Sequence, residues 1–170
     1  MRRLTPLVLG VLLGGAALAA PPSFVDPLDQ PALASGLAAK GPMGALSMAG
    51  DRLVAAGARG HVLFSGDAGQ TWSQAKVPVS SDLVAVTFAD AQHGWAVGHD
   101  SVIIATTDGG KTWVRQLDGR QSADPKQGDR GAENPLLDVW FADARQGWAV
   151  GAFGQIRHTQ DGGATWSELP

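Results

Sequence analysis

Three aspartates stand in matching surroundings: Asp67 within Ser65–Trp72 (SGDAGQTW), Asp108 within Thr106–Trp113 (TTDGGKTW) and Asp161 within Thr159–Trp166 (TQDGGATW). The shared pattern is [ST]-x-D-x-G-x-T-W. Regularly spaced carboxylates could act as general acids and bases, but a catalytic pair needs two carboxyls in different environments that push their pKa values apart. Matching surroundings point instead to a turn, in which each carboxylate accepts backbone N–H groups about two residues on and the tryptophan ring covers the hairpin. Gly69, Gly110 and Gly163 recur at one place, whereas the position before them is Ala68 in one copy. The left-handed backbone conformation is therefore expected at the recurring glycine. Asp67, Gly69, Thr71 and Trp72, with Asp108, Gly110, Thr112 and Trp113 and with Asp161, Gly163, Thr165 and Trp166, form the expected structural set.

Other chemistries fall away on residue type. Gly109-Gly110-Lys111-Thr112 imitates the end of a phosphate loop, but the glycine that motif needs at position 105 is Ala105, and the sister copies carry Gln70 and Ala164 in place of the lysine. His61, His93, His99 and His158 sit at different repeat offsets, so no metal site and no cofactor are expected. The absence of cysteine excludes disulfides and thiolate chemistry, and the absence of tyrosine excludes a tyrosine nucleophile. A net charge of −3 does not suit a phosphate-tracking nucleic-acid binder. Only Glu133 and Glu168 remain as glutamates. No catalytic residue is assigned.

The elements that position these turns repeat with them. Phe88–Gly98 (FADAQHGWAVG) matches Phe141–Gly151 (FADARQGWAVG), and Met48–Gly57 is a degenerate, shorter copy. Each unit reads as four short strands. The first is Ala45–Met48, Leu83–Phe88 or Leu136–Phe141, and the second is Leu53–Ala56, Trp95–Val97 or Trp148–Val150. The third is His61–Ser65, Ser101–Thr106 or Gln155–Thr159, and the fourth starts at each Thr–Trp pair. Four short strands per unit, in phase, predict an all-β chain of β-propeller blades, because a β-sandwich has no reason to repeat one hairpin. Five of the six tryptophans are locked to the repeat and are expected in packing; Trp140 stands outside it and is a candidate for a central channel.

The octet is the Asp-box, or BNR repeat. Joined to the F-A-D-x-x-x-G-W-A-V-G block over about residues 44–168, it resembles the Ycf48/HCF136-like photosystem II assembly factor family. That resemblance implies a propeller exported to the periplasm, or to the thylakoid lumen in a photosynthetic host. It also implies a non-enzymatic scaffold that binds membrane-protein subunits or a membrane complex, a photosystem or a transporter. The alternative is an exported carbohydrate-binding or sialidase-type glycosidase-like Asp-box protein; the lack of tyrosine removes the sialidase mechanism.

Arg2 and Arg3, an apolar run and Ala16–Ala20 predict a signal peptide over 1–19. Five prolines lie in a lead-in over 20–43, with a helical turn expected near Ala32–Lys40. Repeats follow at 44–79, 80–117 and 136–170, around a polar insert at 118–135. Propeller connectivity puts this insert at the same end as the second-to-third-strand turns. Arg59, His61, His99, Asp100, Arg120, Arg130 and Phe153 are accordingly the expected partner-contact residues. Closed propellers have about four to eight blades. Three blades are thus expected as an incomplete propeller, a fragment of a longer one or a unit closed by self-association.

Overall fold

The computed structural model describes residues 24–121 and 134–169. Three four-stranded antiparallel meanders are present, each in chain order. Blade 1 contains β1 (Met43–Ala49), β2 (Arg52–Gly57), β3 (Val62–Ser65) and β4 (Ser73–Gln74). Blade 2 contains β5 (Leu83–Phe88), β6 (Gly94–Gly98), β7 (Ile103–Thr106) and β8 (Val114–Leu117). Blade 3 contains β9 (Leu136–Phe141), β10 (Gly147–Gly151), β11 (Ile156–Thr159) and β12 (Ser167–Glu168). This is the expected all-β architecture, an incomplete propeller of three blades. The expected signal peptide lies outside the described residues, as do Arg130 and most of the insert. The fourth strand differs from expectation: it starts after the tryptophan, because the preceding Thr–Trp pair is held in the turn.

Strand register gives each blade two apolar faces. Val86, Ala96 and Ile104 are cross-strand partners on the face of blade 2 that meets blade 1. They join Val54, Ala56 and Val62 of blade 1 in one hydrophobic cluster. On the opposite face, Ala85, Trp95, Val97, Ile103 and Ala105 cluster with Leu136, Val139, Phe141 and Ala149 of blade 3. Trp95 lies flat on Phe141, with ring centroids 3.4 Å apart and planes 6° apart. A sheet covered on both faces loses the alternation of a half-exposed one, and every residue of β6 is buried.

The Phe and the first Gly of the repeated block form a cross-strand pair. Phe88 faces Gly94, and Phe141 faces Gly147. A Cβ on either glycine would stand 2.4 Å from the ring opposite. Each phenylalanine thus lies down over the empty glycine position, which flattens the sheet face for its neighbour. Blade 1 uses Met48 opposite Leu53 instead.

The lead-in is a strap. It has single 3₁₀ turns at Pro27–Asp29 and Ala38–Lys40, so the expected helical turn is confined to the end of its span. Proline density keeps the rest extended. Leu28 enters the cluster between blades 1 and 2. Ala32 N donates to Val77 O (3.1 Å) and Ser80 N to Pro27 O (2.8 Å). Arg115 donates to Leu28 O from β8.

One residue breaks the apolar rule. Arg157 occupies the place of Leu63 and Ile104, with its side chain only 5% exposed, and its nearest acid is Glu168 at 3.6 Å. Its Nε has no partner, and burial lowers its pKa. A poorly paired buried charge is less stable than an apolar residue of similar volume. Arg157→Leu should raise unfolding free energy by about 1–2 kcal/mol in urea titration; an unchanged or lower midpoint would show that the guanidinium is better compensated than its contacts indicate.

Candidate functional site

The three Asp-boxes sit at one end of the blades, between the third and fourth strands. Ser65 Oγ, Thr106 Oγ1 and Thr159 Oγ1 donate to the first carboxylate oxygen of Asp67, Asp108 and Asp161 at 2.7, 2.8 and 2.8 Å. Backbone N of Thr71, Thr112 and Thr165 donates to the same oxygen, each at 2.9 Å. Their hydroxyls donate to the second oxygen at 2.5, 2.6 and 2.6 Å. The carboxylate therefore reaches four residues ahead, beyond the two expected, and closes the whole turn. Hydrogen bonds from Thr71 and Thr165 hold Asp67 and Asp161 down from 3.8 to about 2. At Asp108, burial opposes this, yet the bonds from Thr112 and Thr106 still leave the pKa lowered. Such acids are saturated with donors and stay ionised, which suits a turn and not proton transfer.

The left-handed conformation is not confined to the recurring glycine. Ala68 (φ 57°) and Gly69 (86°) are both positive, as are Gly109 and Gly110 (72° and 86°) and Gly162 and Gly163 (74° and 90°). Two consecutive positive φ values are the requirement of a tight primed-type turn. The recurring glycine has a second reason in blades 2 and 3. A Cβ on Gly110 would stand 3.0 Å from Val54, and one on Gly163 1.9 Å from Gln116.

These turns also latch the blades. Gly109 O accepts from Arg52 Nη1 of blade 1 (2.9 Å). Gly162 O accepts from Trp95 Nε1 (3.1 Å) and Gln116 Nε2 (2.8 Å) of blade 2. Trp72 and Trp113 pin their own turns through Gly69 O and Gly110 O, whereas Trp166 donates across to Gln116 Oε1 (3.4 Å).

The opposite end is built from the β2–β3, β6–β7 and β10–β11 turns. Gly57, Gly98 and Gly151 close their strands because a Cβ there would fall 2.2, 2.0 and 2.6 Å from the carbonyl oxygens of Pro42, Asp82 and Pro135. The chain then makes a 3₁₀ turn whose middle residue is left-handed and not glycine: Arg59, Asp100 and Phe153, each at φ 58°. Backbone strain of this kind costs about 1–3 kcal/mol and concentrates at functional positions. One side chain per blade is thereby presented at the same repeat position, and the three differ in chemistry.

The structure brings some of the expected contact residues together here and ties others down. Arg59 and His99 are exposed, and Phe153 is 89% exposed. Asp100 accepts from Ser81 Oγ (2.6 Å), and Asp82 accepts from Arg59 N (2.7 Å). His61 Nε2 lies 3.2 Å from Leu33 O of the strap. Arg120 is committed to Asp29 and Asp118, at 2.8 and 2.9 Å. Arg115 completes this cluster at 3.3 Å from Asp118. Its acids have no counterpart in the repeat pattern, which is why sequence reasoning missed it. The flanks of the insert do reach this end: Ser101 Oγ donates to Asn134 O (2.5 Å). Trp140 lies on the outward face of blade 3, stacked on Trp148 at 5.6 Å. Among the described residues no group of three or more His, Cys, Asp or Glu could hold a metal ion.

A family model described as photosynthesis system II assembly factor YCF48 matches residues 64–127. The photosystem II assembly lipoprotein Ycf48 of Synechococcus sp. (strain CC9902) is 29% identical over 99 residues, 58% of this chain and 27% of that protein. The chloroplastic photosystem II stability/assembly factor HCF136 of Oryza sativa subsp. japonica is 26% identical over 103 residues, 58% of this chain and 23% of that protein. The chain thus matches about a quarter of the length of these relatives. Two solved structures share the fold over 74% of this chain and 39% of theirs. One is YCF48 bound to D1 peptide (TM-score 0.60, 22% identity), and the other is YCF48 from Cyanidioschyzon merolae (TM-score 0.59, 24% identity).

Two outcomes follow from the Asp-box geometry. Because the folded-state pKa values of Asp67 and Asp161 lie below the ordinary value, their stabilisation is complete above 3.8 and is lost as pH falls toward about 2. Melting temperature should drop across that window, and Thr165→Val should flatten the drop; identical profiles would refute the assignment. Ala68→Gly should stabilise by about 0.5 kcal/mol, the ~1–2 kcal/mol of left-handed strain relieved less the ~0.4–1 kcal/mol of glycine's unfolded-state entropy, readable in denaturant titration.

Proposed function

Taking the chain as a partial-length, Ycf48-like member of the photosystem II assembly factor family, as the family model, curated relatives and solved structures support, we propose that it is an exported, non-enzymatic scaffold. It binds an extramembrane peptide of a membrane-protein subunit and holds it during assembly of a membrane complex. The observation that carries this reading is the set of three strained turns at one end, where Arg59, Asp100 and Phe153 occupy equivalent left-handed positions. Arg59 supplies a guanidinium for peptide carboxylates or carbonyls, Phe153 an exposed aromatic anchor, and His99 a neighbouring polar contact. Arginine and aromatic residues are those that most often dominate a protein interface. The rest of that end is held rigid by Asp82, Ser81 and the strap, so little ordering is needed on binding. The solved neighbour's D1 peptide is a ligand of the proposed kind.

The test is fluorescence anisotropy with labelled peptides: the D1 sequence and peptides tiled over extramembrane segments of co-exported membrane proteins. Saturable binding is expected, weakened about tenfold or more by Arg59→Ala or Phe153→Ala. Neither residue is needed for the fold, which circular dichroism will verify. No peptide binding, together with saturable binding of a glycan panel, would replace this reading with the carbohydrate-binding one. Replacing residues 122–133 with a short linker, while keeping Asp118 and Arg120 in their ion pairs, measures what the insert adds.

A further inference from the structure

Two cavities open at the end proposed to bind a peptide. They measure about 250 and 580 Å³ and share Ser35, Arg59 and His61. Together they form a groove between the β2–β3 turn and the strap, so both walls come from this chain. The smaller cavity reaches Leu33 and Ser80, and the larger one reaches Leu37, Lys40 and Pro42. We infer that this groove takes a carboxylate of the bound peptide, with an apolar residue of the peptide beside it. The partner is then an acidic peptide, a narrower ligand within the peptide-binding reading above, on which it rests.

Charge is the first reason. The chain as a whole has more acids than Lys and Arg, 16 against 13. Yet the groove is lined by Lys40, Arg59 and His61 and, among the described residues, by no Asp or Glu. None of the ion pairs among the described residues includes any of these three. Elsewhere arginines are committed to acids of the chain: Arg115 and Arg120 to Asp118, and Arg157 to Glu168. Two acids of this end bind the frame instead. Asp82 accepts from Arg59 N (2.7 Å), and Asp100 accepts from Ser81 Oγ (2.6 Å). Asp82 thereby steadies the left-handed turn that carries Arg59, and the guanidinium and the Lys40 ammonium are left for a ligand. A guanidinium matches the two oxygens of a carboxylate, and charge-assisted hydrogen bonds are roughly twice as strong as neutral ones.

The strap wall is the second reason, because side chains of blade 1 fix its backbone. Gln74 of β4 accepts from Ser35 N and donates to Leu33 O, each at 2.9 Å. His61 Nε2 lies 3.2 Å from the same carbonyl, and Leu37 N donates to Ser35 Oγ (3.1 Å). This polar anchoring leaves the side chains of Leu33 and Leu37 77% and 65% exposed. They stand beside the cations, where a peptide residue next to the carboxylate would lie. Lys40 ends the same segment in its 3₁₀ turn. A groove built before the ligand arrives needs little ordering on binding. Gln74 touches the strap and lines neither cavity, so it is a positioning residue.

Fluorescence anisotropy on the full chain tests this with three labelled octapeptides. The first has an Asp before a central Leu and an amidated C-terminus. The second has Asn in place of that Asp. The third keeps the Asn and moves the Leu to a free C-terminus. A peptide with a carboxylate should bind about tenfold or more tightly than the amidated Asn peptide, and whether the first or the third does so identifies the source of the carboxylate. Lys40→Gln combined with Arg59→Gln should bring that preference close to unity, and Gln74→Ala should reduce it. Lys111→Gln removes the same charge at the Asp-box end, where blade 1 carries Gln70, and should leave it unchanged. Carbodiimide coupling gives a readout that does not depend on affinity. The activated carboxylate of the preferred peptide should pass to the Lys40 amine as an amide, with the urea leaving, and mass spectrometry locates the link. Lys40→Arg should abolish the link and keep the preference. Equal binding of all three peptides, still weakened by Phe153→Ala, would overturn the acidic ligand and leave the peptide reading standing. A preference that survives the double variant would do the same, as would a link at Lys76 or Lys111 and none at Lys40. Failure of these peptides and of the D1 and tiled peptides to bind would remove both.

Discussion

Everything in this molecule depends on covering both faces of a small sheet. A four-stranded meander of short strands buries too little by itself and is stable only against a neighbour. The stacking of Trp95 on Phe141 is the centre of one such contact, and the cluster of Val54, Ala56 and Val62 with Ala96 and Ile104 is the centre of the other. The flatness those contacts need explains the glycine opposite each phenylalanine. It also explains why strands such as β6 are apolar at every position. The strap adds Leu28 to the first interface and ties the outer strands of blades 1 and 2 together, through Gln74 of β4, which accepts from Ser35 N and donates to Leu33 O, and Arg115 of β8, which donates to Leu28 O.

The two ends of the blades divide the remaining work. At the Asp-box end the Asp and its Ser/Thr and Thr partners make the same hydrogen bonds in each blade, and the turn carbonyls of blades 2 and 3 reach back to the preceding blade. That end is invariant in chemistry because its job is the same in each copy. At the other end the backbone is equally uniform, with a glycine close to a neighbouring carbonyl and then a left-handed residue. The side chains at and beside the strained position differ: Ala58-Arg59-Gly60, His99-Asp100-Ser101 and Ala152-Phe153-Gly154. A rigid frame that repeats while the residues it displays vary is what a recognition surface built from repeats requires.

The recurrence of [ST]-x-D-x-G-x-T-W and of F-A-D-x-x-x-G-W-A-V-G is enough, read as sequence, to determine an all-β chain of blades and to place the three aspartates in hydrogen-bonded turns. Local chemistry carries that much, because turn hydrogen bonds and strand periodicity act over a few residues. Details that depend on how local groups share a turn are less legible. The fourth strand starts after each Thr–Trp pair and not at it, and the left-handed conformation spans two residues, since Ala68 gives no sign of positive φ by its identity. What only the tertiary structure decided is which residues meet across blades. The commitment of Arg120 to Asp29 and Asp118, the strap over β4 and β8, the latch from Trp95 to Gly162 and the outward stack of Trp140, Trp148 and His158 all join residues far apart in the chain. No local pattern encodes such pairings; they follow from the packing of one twisted sheet on the next, which sets distances that sequence spacing does not.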